Sequence, residues 1–168
     1  ALSLWHSFFA SNRTFVQVDG ADPSATQTLQ RLAEAADIIC RCDQSDSAAL
    51  VDIEAAKRAN PGLVVVELSS FGKEGPWSDY LAPDIVAGAL GGAAATTGDA
   101  STPPLKNFGD LNFMISGAYA AIAALSALYH QRNTGQGQSA TLSVHESIAS
   151  CLEQVFMFYF YQQTLNRP

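Results

Sequence analysis

Hydrophobic and polar positions fall into blocks whose period changes along the chain. Thr14 to Val18 is a short β-prone run, and Asp22-Pro23 after it supplies an N-cap and a first-turn proline, which predicts a helix. Ala25, Leu29, Leu32, Ala33 and Ala36 then recur at three- and four-residue spacing as one apolar stripe. Asp37 to Cys40 reads as a strand. Asp46 or Ser47 can cap a second helix running through Ala59, which Asn60-Pro61-Gly62 ends. Leu63-Val64-Val65-Val66-Glu67-Leu68 is the clearest strand, and its unbroken β-branched run suits a parallel strand covered on both faces.

Strand and helix therefore alternate from Thr14 to Leu68, the order that requires right-handed crossovers and predicts an α/β fold with a parallel sheet. Ser69 to Tyr80 contains Gly72, Gly75 and Pro76 and lies just past the carboxyl end of a parallel strand, where open α/β sheets bind ligands. Pro83 to Ala95 reads as a short helix of small residues, Thr97 to Gly109 as a loop holding Pro103-Pro104, and Leu111 to Gln131 as a long helix. The stretch from Asn133 to Gln138 must turn sharply, and its two glycines permit positive φ. A strand from Ser139 to Ser143 and a helix from His145 to Gln163 follow. That helix carries Phe156, Phe158, Tyr159, Phe160 and Tyr161 over almost every face, so another domain or a partner chain is expected to cover part of it.

The 168 residues are 48% hydrophobic and 15% charged, which fits a single domain with a real core. Nine basic against sixteen acidic side chains leave a net charge of −7 without any basic cluster, so nucleic acid and anionic membrane surfaces are not expected partners. Ile115 to Tyr129 is about fifteen residues, short of the roughly twenty that a span needs, and Ser116, Gly117 and Ser126 interrupt it; it reads as a buried helix. The opening Ala1-Leu2-Ser3-Leu4-Trp5-His6 lacks the features of a secretory signal, and three cysteines form no disulfide framework, which predicts a cytoplasmic protein.

Cys40, Cys42, Cys151, His6, His130 and His145 lack zinc-site spacing, so no metal is expected and Cys40 reads as a small hydrophobe at a strand end. Gly88-Ala89-Leu90-Gly91-Gly92 lacks the lysine and hydroxyl of a phosphate loop. Ser143-Val144-His145-Glu146 places its groups side by side, which rarely suits a proton relay, and His145 next to Glu146 reads as a capping arrangement at a helix start rather than a catalytic dyad.

The order of segments is more informative than any one of them. Ser11-Asn12-Arg13, Ala36-Asp37-Ile38-Ile39, Asn60-Pro61-Gly62-Leu63-Val64 and Ser70-Phe71-Gly72-x-x-Gly75-Pro76 come first. Pro83-Asp84-x-x-x-x-Ala89-x-Gly91-Gly92, Thr97-Gly98, Pro103-Pro104-Leu105-Lys106, Gly117-x-Tyr119-Ala120-Ala121 and Thr134-Gly135-x-Gly137-Gln138 follow. From Phe8 to Cys151 this series resembles the family III CoA-transferases, which include formyl-CoA transferase, carnitine CoA-transferase and α-methylacyl-CoA racemase.

The resemblance implies a Rossmann-like large domain, a smaller second domain, interlocked dimers, and coenzyme A thioesters as substrates with no covalently bound cofactor. It matches an internal part of the large domain, so residues 1–168 are expected to be a single partial domain lacking the opening strand-helix unit and the small domain. Family transferases use an aspartate before the alanine-rich helix as nucleophile, and the matching position here is Phe113; Asp110, three residues earlier, is the candidate substitute, or else a helix N-cap. The racemase pattern places a histidine before an aspartate where this chain has Pro83-Asp84, and Asp84 has the alternative role of a first-turn helix residue.

Coenzyme A contacts are expected from Arg13, Val18, Asp19, Gly20, Ala21, Phe71, Gly72, Asp84, Gly91, Gly92 and Lys106. Cys42-Asp43-Gln44 and Leu50 replace the asparagine-phenylalanine pair and the arginine of the family pattern, which weakens the complement to CoA phosphates. Two further readings stay open. The chain can be a non-catalytic scaffold or acyl-CoA-binding half, packing through its aromatic last helix on a partner domain or a second copy. It can also be part of a racemase-like enzyme. The acyl group is not specified by the sequence.

Overall fold

The computed structural model describes residues 4–42, 50–99 and 101–163. Its centre is a three-stranded parallel sheet in the order β1-β2-β3, with β1 at Ile38–Cys42, β2 at Val64–Ser69 and β3 at Ser139–Ser143. Ile38 pairs with Val64 and Val65 with Ser139. Val64, Val65 and Val66 of the central strand are fully buried and alternate between two layers, as the two-residue period of a strand requires. Val65 packs with Leu63, Ala33 and Ala56 on one face; Val64 and Val66 pack with Ala124 and Ala127 on the other.

The first face is covered by α2 (Pro23–Glu34) and α3 (Ile53–Ala59), which supply the alanines there, and α1 (Leu4–Phe9) precedes them in the chain. The Asp22 carboxylate caps α2 by accepting from the Ser24 N–H at 2.9 Å and the Ser24 hydroxyl at 2.9 Å, and Pro23 opens the first turn. The bond from the Ser24 N–H holds the Asp22 carboxyl below its ordinary value. The stripe on α2 faces inward at Ala25, Leu29 and Ala33, but Leu32 lies on the outer side.

The second face is covered by α5 (Leu111–Thr134), with α4 (Asp84–Leu90), a 3-10 turn (Ala93–Thr96) and α6 (Val144–Ser150) beyond it. The last element among the described residues is α7 (Glu153–Gln162). Gly135 ends α5 at φ +75°, and Gly137 follows where an added Cβ would stand 2.0 Å from the Leu63 carbonyl oxygen. The Gly137 N–H donates to Pro61 O at 2.8 Å, so this turn locks β3 beside β2.

Several expectations are corrected. Residues 14–18 form no strand: Phe15 and Val16 are each 64% exposed, and β-prone side chains make a strand only where a neighbour supplies the ladder. The second helix starts at Ile53 under an Asp52 cap, with the Asp52 carboxylate accepting from the Ala55 N–H at 2.9 Å. Asp46 and Ser47 lie outside the described residues, as do Asp43 and Gln44. The helix expected over 83–95 is broken at Gly91 and Gly92, where Gly92 takes φ +94°, and the last helix is broken at Cys151 and Leu152. Strand β1 runs on to Cys42, which leaves Cys40 exposed in mid-strand rather than closing the strand as a buried hydrophobe.

Helix α5 buries only a narrow face, with Asn112, Ser116, Ala124 and Ala127 inside and Ile122, Leu125 and Tyr129 exposed. The apolar segment is also longer than the fifteen residues expected: α5 has 24, and among the described helices it is long and apolar enough to cross a membrane by length and composition. Its Ala124 and Ala127 face is spent on the sheet.

Because the two turn glycines are constrained differently, their substitution separates packing from backbone strain. Gly137→Ala is expected to cost about 1–3 kcal/mol as overpacking against Leu63, and Gly135→Ala, which meets open space but holds positive φ, about 1 kcal/mol. Thermal unfolding of the two variants checks the order.

Candidate functional site at the carboxyl edge of the sheet

The chain leaves β2 into residues 69–83, and two serine hydroxyls fix how it does so. Ser69 Oγ accepts from the Gly72 N–H at 2.9 Å and donates to Leu142 O at 3.3 Å. Ser70 Oγ accepts from the Ala82 N–H at 3.1 Å, while Ser70 O receives the His145 N–H at 3.3 Å and the Ser143 hydroxyl at 3.4 Å. The ends of β2 and β3 are thus tied together, and the loop between is folded over them. Ser143, not His145, caps α6, with its hydroxyl accepting from the Glu146 N–H at 3.3 Å.

Aromatic rings gather at this edge. Phe71 and Trp77 meet edge to face at 5.6 Å, and the His145 ring lies 5.7 Å from Phe71 and 6.1 Å from Trp77. Beside them is a cavity of about 480 Å³ lined by Phe71, Trp77, Asp79, Tyr80, Leu81, Val86 and Leu90.

Below the loop lies a buried carboxylate. Asp84 is 4% exposed and opens α4. Its Oδ1 accepts from the Phe113 N–H at 3.1 Å; its Oδ2 accepts from Asn112 Nδ2 at 2.9 Å and pairs with Lys106 Nζ at 3.3 Å. A first-turn N–H of α5, which has no partner within its own helix, is therefore satisfied by a residue of another helix. Asp110 stands at the N-cap position of α5, yet its side chain makes no capping bond and is exposed. Phe113 is half-buried, packed on the apolar cluster of Ala82, Ala87 and Val144 beside Phe71 and Leu68.

The remaining expected contacts divide into groups. Asp84 and Lys106 meet at the starts of α4 and α5, Phe71 joins them through the apolar cluster it shares with Ala87 and Phe113, and Gly72 is held at the end of β2 by Ser69. Lys106 also donates to Asn107 O at 3.2 Å and to Gly109 O, so its charge serves the loop and Asp84. Gly91 is buried, and an added Cβ would lie 2.7 Å from Ile148 Cβ; Gly92 faces Leu152 in the same helix contact. These two glycines are used for helix packing. Val18, Asp19, Gly20 and Ala21 form the turn before α2, where the Asp19 carboxylate accepts from the Ala21 N–H at 2.9 Å. They lead into α2, which packs on the opposite face of the sheet from α5, and Arg13 is exposed on the extended segment preceding them.

Sequence reasoning missed Trp77, Tyr80, Asn112 and the ring of His145. Aromatic residues inside a glycine- and proline-bearing loop past a parallel strand were the available signal for the first two. Nothing local marks Asn112, whose burial depends on Gly88: a Cβ there would stand 2.5 Å from Asn112 Nδ2.

Glu67 on β2 joins the loop to the sheet. It lies opposite Arg41 of β1 and pairs with both Arg41 and Lys73. Partial burial opposes its ionisation, but hydrogen bonds and charge from Lys73 and Arg41 outweigh that, and its carboxyl is held below the ordinary value.

The sequence profile of CoA-transferase family III matches residues 1–168. The chain is 26% identical over 159 residues to a succinyl-CoA–D-citramalate CoA-transferase of Chloroflexus aurantiacus, covering 94% of this chain and 40% of that protein. Over 89 residues it is 35% identical to a formyl-CoA:oxalate CoA-transferase of Streptomyces avermitilis, covering 53% of this chain and 22% of that protein. The chain thus spans less than half the length of these relatives. A CAIB/BAIF family protein from Brucella suis superposes with a TM-score of 0.83 at 23% identity, over 90% of this chain and 41% of that one. That likeness shows the fold.

Two predictions follow from these charges. Asp84→Ala leaves the Phe113 N–H unpaired and takes one of two acceptors from Asn112 Nδ2, which keeps Asp84 O, and is expected to cost about 2–3 kcal/mol; Lys106→Ala leaves the buried Asp84 carboxylate without its cation but with its hydrogen bonds, and is expected to cost about 1–3 kcal/mol; chemical denaturation measures both. Glu67, its carboxyl depressed by folding, stabilises fully above its unfolded value near 4.5 and loses that contribution as pH falls through the lower folded value. Unfolding midpoints taken between about pH 7 and pH 3 should therefore fall less steeply in Glu67→Gln.

Proposed function

The chain belongs to CoA-transferase family III, and on that premise we propose that it forms one wall of the acyl-CoA site of a protein that moves CoA between a thioester and a carboxylic acid. The observation that carries this reading is the convergence at one sheet edge of the aromatic loop, its cavity and the Asp84-anchored start of α5. Backbone groups of Val18 to Ala21 and of Gly72 offer contacts to the coenzyme that do not depend on side-chain charge, and Arg13 is an exposed cation a few residues before the first of these. Gly91 and Gly92 support that wall by holding α4 against α6.

Phe113, at the position that corresponds to the family nucleophile, has no electron pair with which to attack, and its ring is engaged in the apolar cluster. Asp110 is the carboxylate that remains at the start of α5. Because Asp84 satisfies the Phe113 N–H, Asp110 is released from capping. In the proposed cycle an Asp110 oxygen attacks the thioester carbonyl, the C–S bond breaks, and CoA thiolate leaves a mixed anhydride. The thiolate then attacks the aspartyl carbonyl, freeing the first carboxylate and leaving an aspartyl thioester. An incoming carboxylate attacks that thioester, and the released thiolate attacks the new acyl carbonyl, regenerating Asp110. The helix start and its free N–H groups favour negative charge at this place.

A second reading rests on α7, which has no buried residue and exposes Phe156, Met157, Phe160 and Tyr161. It makes this domain a non-catalytic half that docks through α7 on a partner domain or a second copy.

In the full-length protein, Asp110→Asn is expected to lower CoA exchange by at least about a thousandfold while CoA binding by titration calorimetry stays micromolar, about −8 kcal/mol. Unchanged turnover in that variant removes Asp110 as nucleophile and leaves the docking reading.

A further inference from the structure

The lining of the cavity at the sheet edge bears on what it holds. Phe71, Trp77, Tyr80, Leu81, Val86 and Leu90 present aromatic and aliphatic surface, and Asp79 is the one charged residue among the described residues that line it. The neighbouring cations are committed elsewhere, Lys73 to Glu67 and Lys106 to Asp84. A second carboxylate on an acyl group would meet an anion and no cation. Coulomb repulsion in a partly apolar site and the cost of desolvating an unpaired carboxylate both act against it. The volume, about 480 Å³, is roughly three times that of the ~150 Å³ apolar cavity that accepts benzene. The relatives named for succinyl-CoA, citramalate and oxalate act, by their names, on acids carrying two carboxyl groups.

We infer that this cavity takes a bulky, uncharged acyl group, aryl or branched aliphatic, and rejects dicarboxylic acyl groups. The inference rests on the acyl-CoA reading above. The acyl chain lies against Trp77, Tyr80 and Leu90, Phe71 forms the end nearest the sheet, and Asp79 at the rim excludes an ω-carboxylate.

Titration calorimetry of the full-length protein with CoA, acetyl-CoA, phenylacetyl-CoA and succinyl-CoA tests it. Phenylacetyl-CoA is expected to bind at least about tenfold more tightly than acetyl-CoA, the scale on which a hydrophobic pocket discriminates, and succinyl-CoA more weakly than acetyl-CoA. Trp77→Ala should abolish the phenylacetyl advantage, and Asp79→Asn should raise succinyl-CoA affinity selectively, which a misfolded variant could not do. Binding of CoA with equal affinity for all three thioesters overturns this inference and leaves the acyl-CoA reading standing. No binding of any CoA species overturns both. Loss of self-association in Trp77→Ala, with thioester affinities unchanged, assigns the cavity to a protein contact and also overturns it.

Discussion

The buried carboxylate of Asp84 is the constraint around which the functional edge is arranged. A desolvated carboxylate is tolerable only with charge and hydrogen bonds to compensate, and here Lys106, Asn112 and the Phe113 N–H all converge on it. Two of the donors stand in the first turn of α5 and the third, Lys106, in the loop before it, so one side chain ties the start of α4 to the start of α5 and to the loop between them. The arrangement also redistributes roles: it engages Lys106 and relieves Asp110 of capping. What a basic residue or an N-cap aspartate would ordinarily do at these positions is decided by a residue more than twenty positions away.

Small residues make this possible. Alanines on α2, α3 and α5 allow helices to approach both faces of β2 closely, and Gly88 and Gly91 let α4 lie against Asn112 and Ile148 without a shell of side chains between. Close packing of that kind leaves little volume to absorb a larger group, in keeping with the crystal-like density of protein interiors. The glycine-rich segment that looks like a ligand cradle in sequence is, in space, the seam between α4 and α6.

Those features also explain which parts of the structure were legible from the sequence. The β-branched run of β2, the Asp22-Pro23 start of α2 and the turn glycines after α5 are governed by neighbours within a few residues, and they stand where local reasoning places them. The place of the candidate loop was legible because it follows a parallel strand. Residues 14–18 have strand-forming side chains but no ladder partner among the described residues, a fact that no local pattern carries. Leu32 fits the helical stripe by spacing yet faces outward, since the sheet edge decides which arc is covered. Asp110 has the sequence of a cap, and its function as one is taken by Asp84, a tertiary contact invisible to spacing. The position of Lys106 follows the same logic.

The serine pins at the two ends of the loop have an entropic consequence. Ser69 holds Gly72, and Ser70 holds Ala82 twelve residues away from it, so the loop's closure is already made before any ligand arrives. At the first pin Gly72, and between the pins Gly75, hold positive φ, and an added Cβ at either would meet open space. A ligand settling there need order only the side chains and a few central torsions, not the loop as a whole, and the affinity it keeps is correspondingly larger.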